Sequence, residues 1–159
     1  MKTLVLVAGI FAASPVSAEP NKLSQHPRVG ELAQIEFARN SDRLSVDYNK
    51  KLGEVAGWLQ ENPTGLIVVD GFAQPGEKGS DPATVVLSLR RAEAVRDELI
   101  AEGVDADSIV IAAFGGRGAS RAVVWGTRER RDLAISRLER AKAATVLWGA
   151  QRRTAVAGR

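Results

Sequence analysis

The chain has 159 residues, enough for one domain with a sizeable core of its own. It contains no cysteine, which excludes disulfides, thiolate zinc sites, iron–sulfur clusters and thiol nucleophiles. The formal net charge is +3, but it is unevenly spread: from Arg121 to the end, ten Arg/Lys face three Asp/Glu.

The first residues read as a secretory signal peptide over 1–18. Met1-Lys2 is a short basic start, Thr3 to Ala13 is mostly apolar, and Val16-Ser17-Ala18 supplies small residues before a cleavage point. The apolar run is too short to span a bilayer. With no cysteine to lipidate, the expectation is a periplasmic protein, in contact with the wall or the outer membrane. Residues 19–31, with Pro20 and Pro27, read as a linker.

Leu32 to Phe37 alternates weakly and is predicted as the first strand. Asn40-Ser41-Asp42 is a turn, and Ser45 is a candidate N-cap. Tyr48, Leu52, Val55 and Leu59 then recur at helical spacing, and Asn62-Pro63-Thr64-Gly65 stops that helix. Leu66 to Val69 is a continuous apolar run, predicted as a central strand buried on both faces. Asp70 to Pro82 is a glycine- and proline-rich loop. A second helix follows to about Glu102, with Asp81 as its cap, Pro82 at its first position and Gly103 ending it. Ile109–Ala113 is a third strand, Gly115, Gly116 and Gly118 form a loop, and Leu133-Ala134-Ile135 reads as a short last strand. Leu138, Ala141, Thr145 and Trp148 are compatible with one side of a basic helix. Residues 137–159 are then either a solvated extension or a segment drawn to an anionic surface.

One residue in the second helix is out of place. On a wheel of about 100° per residue, with Leu87 at zero, Ser88, Val95, Leu99 and Ala92 fall between about 80° and 140°. Arg91 falls at about 40°, on the same side, and Arg90 at about 300°, away from it. A cation on a buried face costs desolvation unless it meets an anion. Arg91 therefore needs a partner, either a bound anion or an internal carboxylate such as Glu77 or Asp70.

The stretch Thr84-Val-Val-Leu87-Ser88-Leu-Arg-Arg91-Ala92-Glu-Ala-Val95, following a strand that ends Gly71-Phe72-Ala73-Gln74, resembles the OmpA-like peptidoglycan-binding domain. That family has Gly-His-Thr-Asp at the strand end and Asn-x-x-Leu-Ser-x-x-Arg-Ala-x-x-Val on the helix. The resemblance covers 32–136 and implies an α+β fold: a β-α-β-α-β(-β) two-layer sandwich, with helices packed on one face of a small mixed sheet. In the family, the strand-end Asp meets the ammonium of a diaminopimelate residue in peptidoglycan, the helix Arg meets its carboxylate, and loop N–H groups complete the grip.

Carried over, the implied ligand-binding residues are Arg91, Gln74 at the Asp position, Thr84 at the Asn position, Ser88 and Gly71. Phe72 replaces the His. Gln74 accepts a hydrogen bond from an ammonium without neutralising it, a loss of about 1–2 kcal/mol, or about ten-fold or more in affinity. Alternatively Gln74 is a polar loop residue without a ligand. Asp70, Glu77 or Asp81 are candidates for the missing anion. The family also places Asn-Arg-Arg before its last strand. Aligned on Leu133 and Ile135, that motif falls on Arg130-Arg131-Asp132, and Arg131 becomes a further ligand-binding candidate or a structural bridge.

The resemblance implies non-covalent binding of peptidoglycan with a diaminopimelate-type stem, linking an envelope component to the wall. The competing reading is a degenerate scaffold that binds a protein partner in an envelope secretion or conjugation complex. An enzyme ranks last: His26 is the only histidine and lies in the linker, and there is no nucleophile elbow or metal-ligand cluster. No cofactor, metal or nucleic acid is expected, and at most peripheral membrane contact.

Overall fold

A computed structural model of the chain describes residues 30–149. The expected signal peptide, most of the linker and the last ten residues lie outside them. Five strands and three α-helices run in the order β1 (Glu31–Glu36), α1 (Asn49–Glu61), β2 (Leu66–Gly71), α2 (Asp81–Ala101), β3 (Ile109–Ala113), β4 (Arg121–Thr127), α3 (Arg131–Arg140) and β5 (Thr145–Trp148).

The strands form one mixed sheet in the order β1-β4-β2-β3-β5. β2 and β3 are parallel, with Ile67 opposite Ile109 and Gly71 opposite Ala113. That pairing needs a crossover, and α2 provides it. β4 lies antiparallel between β1 and β2, and β5 runs antiparallel along β3.

α1 and α2 cover one face of the sheet. Leu52 and Val55 from α1, and Leu89, Val95 and Leu99 from α2, pack on Ile35, Ile67, Val69, Ile109, Ile111 and Val124. The other face is covered too, an addition to the two-layer expectation. Val68, Phe72, Val110, Phe114 and Val123 pack with Leu138 of α3. With apolar residues wanted on both faces, β2 and β3 are buried along their whole length, which is why Leu66–Val69 and Ile109–Ala113 each read as an unbroken apolar run.

Ser45 caps as expected, accepting from the Asp47 N–H at the start of a single 3-10 turn (Val46–Tyr48) that leads into α1. At α2 the cap position is Ser80, so Asp81 is the first helical residue and Pro82 the second. The reading fails after the third strand. Leu133 and Ile135 belong to α3, where Ala134 and Leu138, one turn apart, face the sheet and Leu133 is half exposed. The fourth strand is Arg121–Thr127, whose Ala122-Val123-Val124 is apolar toward both helical layers and so lacks alternation. No helix spans Leu138 to Trp148. α3 ends at Arg140, and Thr145–Trp148 pairs with β3, so the sheet continues past the expected boundary at 136.

β2 and α2 approach each other closely at Gly71. A Cβ there would lie 2.0 Å from the Ser88 carbonyl oxygen. Gly71→Ala is expected to force the helix off the sheet and lower stability by about 3 kcal/mol, measured by urea denaturation.

Candidate functional site

The parallel pair β2–β3 opens at its C-terminal end toward the loop 72–80, the start of α2 and the β3–β4 loop, and the residues singled out from sequence, Arg131 excepted, lie around that end. Arg91 is fully buried at this end. Its Nη1 and Nη2 donate to the two carboxylate oxygens of Glu77, at 2.9 and 2.8 Å. Its remaining donors go to backbone carbonyls: Nε to Ser41 at 2.8 Å, Nη1 to Phe72 at 3.0 Å and Nη2 to Ala38 at 3.1 Å. A guanidinium has five N–H donors, and all five are used inside the protein. Of the two partners considered for Arg91, the internal carboxylate is the one found. All the donors of Arg91 are thus taken up by Glu77 and three backbone carbonyls.

Glu77 is equally buried. Besides Arg91 it accepts from the Asn40 N–H and the Gln74 N–H, each at 2.6 Å. Burial alone would raise its pKa. Arg91, the two backbone N–H groups and the Ser120 hydroxyl outweigh burial and hold it at about 2 rather than the ordinary 4.5. The loop reaches this position through Gly76, Lys78 and Gly79, all in the left-handed region, and Lys78 N–H donates to Asn40 Oδ1 at 2.8 Å.

The other expected ligand contacts are divided. Ser88 is buried, and its hydroxyl donates to the Val85 carbonyl and accepts from Gly115 N–H at 2.9 Å, fixing the β3–β4 loop. Gly71 serves close packing, and Phe72 is a core residue stacked on Phe114 at 5.1 Å. Gln74 is exposed. The Thr84 hydroxyl donates to the Asp81 carbonyl at 2.7 Å and lines a hollow of about 310 Å³. Asp81, Gly115, Gly116, Arg117 and Lys142 line the same hollow.

Arg131 is not part of this end. It begins α3, donates to the Asp107 carbonyl at 2.9 Å and lies over the Trp148 ring. Asp107 precedes β3, at the opposite end of the parallel pair. The misplacement follows from the strand reading: the residues that precede the true strand are Gly118-Ala119-Ser120, and these lie at the loop end. Asp70, another candidate anion, is buried in β2 and faces Arg137 of α3, whose pKa burial lowers and the Asp70 charge opposes. Of the other residues lining the hollow, the loop around Arg117 is the contact surface that the scaffold reading implies, and Lys142 is not singled out by the sequence. The glycines around Arg117 were visible, but only the turn between α3 and β5 brings Lys142 to them.

Among the described residues no His, Asp and Glu cluster could hold a metal ion, and no helix is long and apolar enough to cross a membrane.

A family model described as the OmpA family matches residues 36–134. The chain is similar to a peptidoglycan-associated lipoprotein of Mesorhizobium japonicum, 31% identical over 107 residues, which is 67% of this chain and 59% of that protein. The chain thus spans about three fifths of the length of the curated relatives it matches. Its fold is similar to the peptidoglycan-associated lipoprotein of Burkholderia pseudomallei, with a TM-score of 0.51 and 24% identity over 58% of this chain and 88% of that one. It is also similar to the OmpA-like domain of FopA1 from Francisella tularensis, with a TM-score of 0.52 and 23% identity over 59% and 70% of the two chains.

Two outcomes follow from the buried pair. Arg91→Ala strands the Glu77 carboxylate and should cost about 3–5 kcal/mol in chemical denaturation. Because the folded-state pKa of Glu77 lies below its ordinary value, its contribution is complete above about pH 4.5 and is lost as pH falls toward about 2. Stability measured across that window should fall in the wild type and fall less steeply in Glu77→Gln, which has no carboxylate to titrate.

Proposed function

Because the chain belongs to the OmpA family, we propose that it is a non-enzymatic domain of the cell envelope that binds peptidoglycan non-covalently and ties an envelope component to the wall. The observation that carries this reading is the family match over 36–134, which runs from the last residue of β1 into α3 and takes in α1, β2, α2, β3 and β4. Relatives at 31% identity bear the name peptidoglycan-associated lipoprotein, which supports a periplasmic location.

In this reading the wall meets the loop end, where Gln74 and Thr84 are the expected contacts nearest solvent or the hollow. The ligand class is a stem peptide of the diaminopimelate type. Arg91 acts from behind: it holds the loop that shapes the surface and does not touch the ligand.

One observation favours a second reading. The guanidinium is consumed internally and Gln74 is neutral, so the charges that the family resemblance implies for ligand binding are not offered at Arg91 and Gln74. That suits a domain retained as a scaffold for a protein partner in an envelope complex. Co-sedimentation with isolated sacculi separates the two. Peptidoglycan binding requires the protein to pellet and to be released by excess soluble muropeptide. Protein that stays in the supernatant while a periplasmic protein co-purifies with it supports the scaffold.

A further inference from the structure

We infer that β5 is the contact strand of a symmetric dimer, in which the sheet edge at Thr145–Trp148 pairs antiparallel with the same edge of a second copy, centred on Leu147.

The sheet has two edge strands, β1 and β5. β1 carries the features that keep an edge solitary. It begins and ends in exposed glutamates, Glu31 and Glu36, and its register is irregular between Glu31 and Ala33. β5 has none of these. Thr145-Val146-Leu147-Trp148 contains no charge and no proline, and its register along β3 is regular.

The hydrogen bonds show which way its backbone groups point. Gly149 N–H donates to the Ile109 carbonyl and Ala144 N–H to the Ala113 carbonyl, while Phe114 N–H turns the other way, to Gly71 on β2. Ile109, Ile111 and Ala113 therefore direct their backbone groups toward β5, and Thr145, Leu147 and Gly149 direct theirs back. The N–H and C=O groups of Val146 and Trp148 point to the outer side. An antiparallel copy matches them: with Leu147 opposite Leu147, each Val146 exchanges both bonds with Trp148 of the other copy.

Charge fits the same arrangement. The Asp107 carboxylate lies against Gly149 at one end of β5, and Lys142 precedes the other end. Antiparallel pairing sets the acidic end of one copy beside the basic end of the other, at both ends of the ladder. The apolar surface fits as well. Among the described residues four large apolar side chains are exposed, and two of them border this edge: Trp148, 38% exposed, and Leu133, 49% exposed, at the start of the helix packed beside β5. In the pairing, Val146 of the second copy covers Trp148, on the side of the sheet where Arg131 already lies over the ring. The contact is two-fold and closed, so it stops at a dimer.

Because the chain has no cysteine, one introduced thiol reports the register. Residues facing each other in a non-hydrogen-bonded antiparallel pair have Cα atoms about 4.5 Å apart, inside the disulfide range of about 4.4–6.8 Å. Leu147→Cys should therefore form a disulfide dimer under mild oxidation, read on a non-reducing gel. Val46→Cys, at an exposed apolar residue away from this edge, should stay monomeric. In sedimentation equilibrium the wild-type mass should rise toward twice that of the monomer as concentration approaches about 1 mM, the behaviour of a small interface. Val146→Pro removes an outward N–H and spares the ladder to β3, so it should abolish that rise. Leu147→Lys sets like charges opposite each other across the dyad and should do the same. Circular dichroism checks that both variants keep the fold, and the cysteine pair decides alone if they do not. A wild type that stays monomeric overturns the inference, whatever other protein binds this edge. So does a dimer that both folded variants leave intact, or Leu147→Cys linking no faster than Val46→Cys.

Discussion

The loop end of this molecule is organised around one buried ion pair. Removing both charges of Arg91 and Glu77 from water is expensive, and their mutual attraction offsets that cost only if every remaining donor and acceptor finds a partner. Here they do. The guanidinium gathers the carbonyls of Ala38, Ser41 and Phe72, and the carboxylate gathers the N–H groups of Asn40 and Gln74. Four separate pieces of chain are thereby held at one point: the β1–α1 connection, the end of β2, the loop beyond it and the middle of α2. The left-handed turns at Gly76, Lys78 and Gly79 are what carry Glu77 inward to meet the helix.

How much of this could be read from sequence depends on the physical signal each part leaves. β2, α2 and β3 were legible because a doubly buried strand is an apolar run and an amphipathic helix has a period. Arg91 was legible as an anomaly, a cation among Leu87, Val95 and Leu99, and the anomaly correctly demanded an anion. Which anion was not legible. Glu77 and Asp70 both precede Arg91 within the same strand–loop–helix stretch, and only the loop turns distinguish them. The second half of the sheet was misread for a related reason. Leu133 and Ile135 alternate by chance on a helix whose buried residues are Ala134 and Leu138, while the true strand at Arg121 is apolar on both faces and shows no alternation. Arg131 was misassigned as a consequence of that one error.

The closed pair also changes how the site relates to the family pattern. The helix motif around Arg91 is present, yet the group that makes it distinctive faces inward. The solvent-facing charges at the same end come from Asp81, Arg117 and Lys142, and the last of these is supplied by chain that follows α3. The segment beyond residue 136 is therefore part of the architecture of the loop end as well as of the sheet.

That segment has a second effect. β3 is buried along its whole length, and without β5 its outer edge would present a row of unpaired backbone donors and acceptors beside apolar side chains. Such an edge is a template for strand addition by other molecules and hence for aggregation. β5 pairs along most of it, and the bonds from Ala144 N–H to Ala113 and from Gly149 N–H to Ile109 extend the cover to both ends. The last described strand thus moves the edge of the sheet from the fully buried β3 to a strand of four residues that is only partly buried.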